Sequence, residues 1–183
     1  MMNKTILLLV SIAALSLTSC KKESSSENNE SLQQPVVDET FNVILDVIIK
    51  KDDDISLFYT TDGSVDFSKN VPIWQGVKGS DTQQQIVFKL PKDVKPNEFR
   101  FDLGRNPLQE DIYFKKVTFS YIGKSREIAC PELVDFFRAN DNYCTFDHLT
   151  GLVKVKPSTN GERNFPSIYP HELKLKPEIE KLY

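Results

Sequence analysis

An all-β fold is predicted for this 183-residue chain, an antiparallel β-sandwich of jelly-roll type with one short helix near residues 131–139. Three observations predict it. From Phe41 onward apolar residues recur mostly at every second position, the period of a half-buried strand. Short runs of this kind follow one another, separated by Gly, Pro, Asn and Asp. No helical pattern comes between them before residue 131, so a parallel α/β sheet is excluded in favour of strands packed on strands.

The elements follow in chain order. Phe41, Val43, Leu45, Val47 and Ile49 form one face of a first strand, and Ile55, Leu57 and Tyr59 one face of a second. Lys50-Lys51-Asp52-Asp53-Asp54 between them reads as a polar hairpin connection. Asp62-Gly63 is a turn signal, because glycine accepts a positive φ without a Cβ clash. Further strands are predicted over Val71 to Gln75, Gln83 to Leu90, Glu98 to Leu103 and Ile112 to Ile122. In Glu98 to Leu103 the alternation turns Phe99, Phe101 and Leu103 inward and Glu98, Arg100 and Asp102 outward. A slip of one residue would expose three large apolar side chains, so the register is strongly set. Pro131 to Ala139 is the helix candidate: proline suits a first turn, Glu132 and Asp135 suit its N-terminal half, and Leu133, Phe136 and Phe137 share a face. Tyr143 to Asp147 and Leu152 to Lys156 then form a hairpin around His148-Leu149-Thr150-Gly151. The domain is expected over 41–156. Residues 157–183 form a Pro-rich tail packed on it, with about one helical turn near Pro177 to Leu182.

The first forty residues carry a different message. Lys4 precedes Thr5 to Leu17, an almost uninterrupted apolar run of signal-peptide length. That run is too short to span a bilayer, which takes roughly 20 apolar residues. Leu17-Thr18-Ser19-Cys20 resembles the lipobox of bacterial lipoproteins. The resemblance implies cleavage after residue 19 and lipid modification of Cys20. A single acyl chain holds only marginally at about 0.8 kcal/mol per buried CH₂, whereas several chains on one residue hold firmly. Residues 20–40 are rich in Ser, Glu, Asn and Gln and lack aromatic residues, which suits a flexible tether. Its start, Lys21-Lys22-Glu23, is similar to sorting signals of surface-displayed lipoproteins, so the expected location is the cell envelope, at the outer membrane, with the side left open.

Removing residues 1–19 leaves 183 − 19 = 164 residues, enough for one domain, with side-chain charges of 22 − 26 = −4. That balance excludes nucleic acid as a partner, which rewards clustered Lys and Arg. The partners expected are the membrane, through the lipid anchor, and a glycan or an envelope protein.

Leu57-Phe58-Tyr59-Thr60, Phe67-Ser68, Ile86-Val87-Phe88, Phe99-Arg100-Phe101-Asp102-Leu103-Gly104 and Ile112-Tyr113-Phe114-Lys115-Lys116-Val117 resemble galactose-binding-like jelly-roll domains, including carbohydrate-binding modules. In those domains an R-x-D-x-G strand precedes one of the I-x-I-x-x-I kind. The match covers residues 41–123, and its motifs largely describe core packing. It implies a β-sandwich that binds sugar.

Few residues are candidates for chemistry. Arg100 and Asp102 stand on one strand face, where they reach either a sugar hydroxyl or each other; a structural ion pair is the commoner outcome of such spacing. Trp74, the single tryptophan, is either an aromatic plate for a pyranose ring or, more commonly, a partly buried core residue. Asp52, Asp53 and Asp54 offer oxygens to a hard cation but lack the alternating ligand ladder and its glycine, so a solvated loop is expected, with structural Ca²⁺ left open and no other cofactor. His148 and His171 are assigned no metal. With Cys20 given to lipid, Cys130 and Cys144 remain, and an exported compartment permits a disulfide between them. No G-x-S-x-G elbow surrounds Ser120 or Ser125, and no catalytic residue is assigned. The expected function is noncatalytic binding of a glycan or partner protein. An assembly lipoprotein is the alternative, and a glycan-active hydrolase ranks third.

Overall fold

The computed structural model describes residues 39–157 and 165–183. The expectations placed on the signal peptide, Cys20 and most of the tether lie outside these described residues. The rest is a two-layer sandwich of antiparallel sheets, as the alternation predicts.

Eleven strands and two short helices follow in chain order: β1 (Asn42–Ile48), β2 (Asp53–Thr60), β3 (Ile73–Val77), β4 (Gln84–Lys89), β5 (Glu98–Asp102), β6 (Ile112–Tyr121), β7 (Lys124–Ala129), α1 (Leu133–Phe136), β8 (Phe137–Ala139), β9 (Cys144–Asp147), β10 (Leu152–Val155), β11 (Ser167–Pro170) and α2 (Leu175–Glu180). The first sheet has the order β4-β1-β6-β10-β9, with β7 also pairing β6, and the second the order β3-β2-β5-β11-β8. Consecutive strands therefore often sit in different layers. Lys50 to Asp54 is one consequence: it joins a strand of the first sheet to one of the second and is not a hairpin.

The inward faces meet in a core rich in phenylalanine. Phe99 of the second sheet stacks on Phe119 of the first at 4.9 Å, and Phe101 lies 5.5 Å from both Phe114 and Phe137. Such pairs add roughly 0.5–1.5 kcal/mol each beyond the area they bury. Val43, Leu45 and Val47 from β1 and Ile55 and Leu57 from β2 are fully buried at the alternate positions expected of them.

The short helix is present but narrower than its candidate span, and three sequence expectations are corrected. The helix over residues 131–139 is one turn long; Phe137 turns to extended backbone and begins β8, because Phe137 and Ala139 on alternate positions fill the core and pair with β11. The expected tail supplies β11, which lies between β5 and β8 and is an interior strand of the second sheet. Ile112 to Ile122 ends in a two-residue turn, Ile122-Gly123, and returns as β7, whose polar sequence KSREIA hides it. Cys130 and Cys144 are free thiols: the Cys130 Sγ lies 3.6 Å from the Phe114 carbonyl and the Cys144 Sγ 3.6 Å from that of Ser167. Burial pushes both thiols up, away from the reactive thiolate.

Asp53 departs most from its expected role. Rather than standing in solvent it is buried at the start of β2. Its Oδ1 accepts the backbone N–H groups of Asp54 (2.8 Å), Arg105 (2.7 Å) and Asn106 (2.9 Å), and its Oδ2 accepts from Gln109 Nε2 (2.9 Å). One carboxylate thus folds the loop after β5 onto β2. Gly104 permits it: with φ at +116°, a Cβ there would stand 2.3 Å from the Asp53 Oδ2.

Candidate functional site

The outward face of the second sheet gathers side chains that the sequence holds far apart. Since Ile55 and Leu57 face the core, Ser56 and Phe58 face outward; by the same alternation Arg100 and Asp102 of β5, Ser167 and Tyr169 of β11 and Arg138 of β8 share that face. Strand register then arranges them in two rows. Trp74, Ser56, Asp102 and Ser167 stand opposite one another in the first, and Phe58, Arg100, Tyr169 and Arg138 in the second.

The second row is a ladder of cations and rings. The Arg100 guanidinium lies 4.5 Å from the Phe58 ring centroid and 5.0 Å from that of Tyr169, whose ring in turn lies 5.5 Å from the Arg138 guanidinium. Arg100 also links the rows. Its Nε and Nη2 donate to the two carboxylate oxygens of Asp102 at 2.8 and 2.6 Å, a two-pronged pair that fixes both side chains. The ion-pair reading of Arg100 and Asp102 is therefore the geometry observed.

Trp74 is not a core residue. It lies on the edge strand β3 with half its surface exposed, and the Arg105 guanidinium sits 4.9 Å from its ring centroid. Arg105 is itself held by Asp54 Oδ2, which accepts from Nε at 3.2 Å and Nη2 at 2.7 Å. The Asp53-anchored loop thus delivers Arg105 to the indole. Beside Trp74, Ser56 is buried and its hydroxyl has no hydrogen-bond partner. A buried orphan of this kind costs about 1–3 kcal/mol.

The face is bounded at one end by α2. Glu98, the next outward residue of β5, is covered there, contrary to the exposure expected of it. Burial pushes its carboxyl up to about 7, opposed by the Lys176 backbone N–H that donates to it and by the Lys176 charge. Its Oε2 has no partner.

Asp52, Asp53, Asp54, Gly76, Val77 and Lys78 line a depression of about 480 Å³. Its acidic members are engaged: Asp53 by four donors, Asp54 by Arg105, and Asp52 by Lys78 at 2.5 Å and the Gly79 N–H at 2.9 Å. No group of three or more His, Cys, Asp or Glu among the described residues is arranged to hold a metal ion. His148 Nε2 lies 3.1 Å from the Phe137 carbonyl, and the backbone N–H of His171 donates to the carbonyl of the adjacent Phe136.

Of the residues singled out in sequence, Trp74, Arg100 and Asp102 do share one face. Phe58, Arg105, Arg138 and Tyr169 were missed. Alternation with Leu57 could have found Phe58, but Arg138 was hidden by the helix reading and Tyr169 by the Pro-rich tail. No protein-family model, curated protein or solved structure matches the chain.

Proposed function

We propose that this is a lipid-anchored, noncatalytic protein of the bacterial cell envelope whose sandwich binds a glycan across the outward face of its second sheet. One observation carries the reading. A half-exposed tryptophan carries the exposed Arg105 guanidinium on its ring and shares one outward sheet face with a fixed Arg–Asp pair. Sugar rings present an apolar C–H face to an aromatic plate and a fringe of hydroxyls to fixed donors and acceptors, and this face offers both. The galactose-binding-like motifs and the lipobox-like Leu17-Thr18-Ser19-Cys20 support the glycan and the anchor respectively.

The test is a broad glycan array probed with the full chain in detergent, followed by titration of the best ligand. Trp74→Ala is expected to weaken that ligand about ten-fold or more while leaving the melting temperature near wild type, since the ring is outside the core. An array with no signal above background, or a Trp74→Ala variant binding as wild type, overturns the reading.

A further inference from the structure

We infer that the glycan is anionic and that its acidic group is received by Arg138; this rests on the sheet-face reading above. Three arginines serve the face. Arg100 is matched by Asp102, and Arg105 by Asp54. Arg138 is exposed and has no ion pair among the described residues, yet its guanidinium is placed by the Tyr169 ring at 5.5 Å. Asp54 and Asp102 balance two of the three positive charges, so the open face carries one uncompensated cation at a defined position.

Position makes that charge informative. Arg138 ends the second row on the edge strand β8, and Trp74 ends the first row on the opposite edge strand β3, four strand steps away in the order β3-β2-β5-β11-β8. At about 4.8 Å per step this is roughly 19 Å, longer than one sugar ring. A chain of several sugars stacked on Trp74 and crossing the strands would bring a carboxylate or sulfate to Arg138, whose planar fork suits either. The intervening Arg100–Asp102 pair, neutral as a unit, presents no net charge to the middle of the ligand.

The experiment compares four probes on the full chain: a uronate oligosaccharide and its carboxyl-reduced counterpart, and a sulfated oligosaccharide and its desulfated counterpart. The expected result is that one acidic form binds at least ten-fold tighter than its neutral counterpart. Arg138→Gln is expected to abolish that preference, the acidic form then binding no more tightly than its neutral counterpart. Which acidic form shows the preference identifies carboxylate or sulfate. Neutral probes bound as tightly as acidic ones, or an acidic preference that survives Arg138→Gln, overturn the inference while leaving the sheet-face reading standing. No binding of any glycan, on these probes and on the array, overturns both.

Discussion

Glu98 shows how one residue's environment, rather than its type, sets its behaviour. It occupies an outward position of β5, but α2 covers it and leaves one carboxylate oxygen without a partner. Its carboxyl, pushed up to about 7 by burial against an ordinary value of 4.5, holds a proton that the unfolded chain has already released. Between about pH 4.5 and 7 the native state therefore binds more protons at this site than the unfolded state. The sign follows: the Glu98 contribution to stability falls as pH rises through that window, and the full cost is present above pH 7. Glu98→Gln reproduces the neutral acid. Its stability advantage over wild type, measured by urea denaturation, is expected to be near zero at pH 4.5 and to grow to about 3 kcal/mol by pH 8. A difference that does not vary with pH would refute the assignment.

At the scale of elements, α1, β8, β11 and α2 decide how the second half of the chain closes. Arg126 on β7 is the clamp: its Nε donates to Glu178 of α2 at 2.9 Å, its Nη2 pairs with Glu132 beside α1, and its guanidinium lies 5.5 Å from the Phe136 ring. Leu175 and Ile179 anchor the other side of α2 in the core, and the Tyr183 hydroxyl donates to the Pro96 carbonyl at 2.8 Å. Arg126→Ala removes a cation from exposed Glu132 and one of two from Glu178, which keeps Lys181, and takes the guanidinium off the Phe136 ring, at an expected cost of about 1 kcal/mol. Amide exchange is expected to quicken first over residues 172–183, with the sheets still protected; uniform quickening across the molecule would show that α2 does not open separately.

These elements also mark where the sequence was legible. β5 announces itself by alternating large apolar and polar residues, and β1, β2 and the first part of β6 by apolar residues at every second position. β7 does not, since its sequence is mostly polar and charged. Phe136 and Phe137 are adjacent, so the sequence suggests a shared helical face; the partner strand β11, thirty residues on, draws Phe137 into the sheet instead. β11 itself is four residues long and ends in proline, too short to show a period.

For the whole molecule, the sandwich and its anchor pose separate questions, answered by different residues. The core formed by Phe99, Phe101, Phe114, Phe119 and Phe137 is built within the described residues. The proposed anchor depends on Cys20 alone. Cys20→Ser is therefore expected to move the protein out of the membrane fraction and impair signal processing, while the melting temperature of the folded domain stays within about 1–2 °C of wild type. Unchanged membrane fractionation would remove the lipid anchor from the proposal.

Composition and period alone determined that this chain builds antiparallel sheets, because the two-residue alternation is a local property that a strand must satisfy to bury one face. They also placed Trp74, Arg100 and Asp102 among the residues to watch. Only the tertiary structure decided that Asp53 is a buried loop anchor, that Glu98 is covered, that the two thiols stand apart and that Arg138 and Tyr169 join the same face as Trp74. Each of these depends on cross-strand register and layer order between residues up to about a hundred positions apart, and no local pattern encodes which distant backbone a strand will pair with.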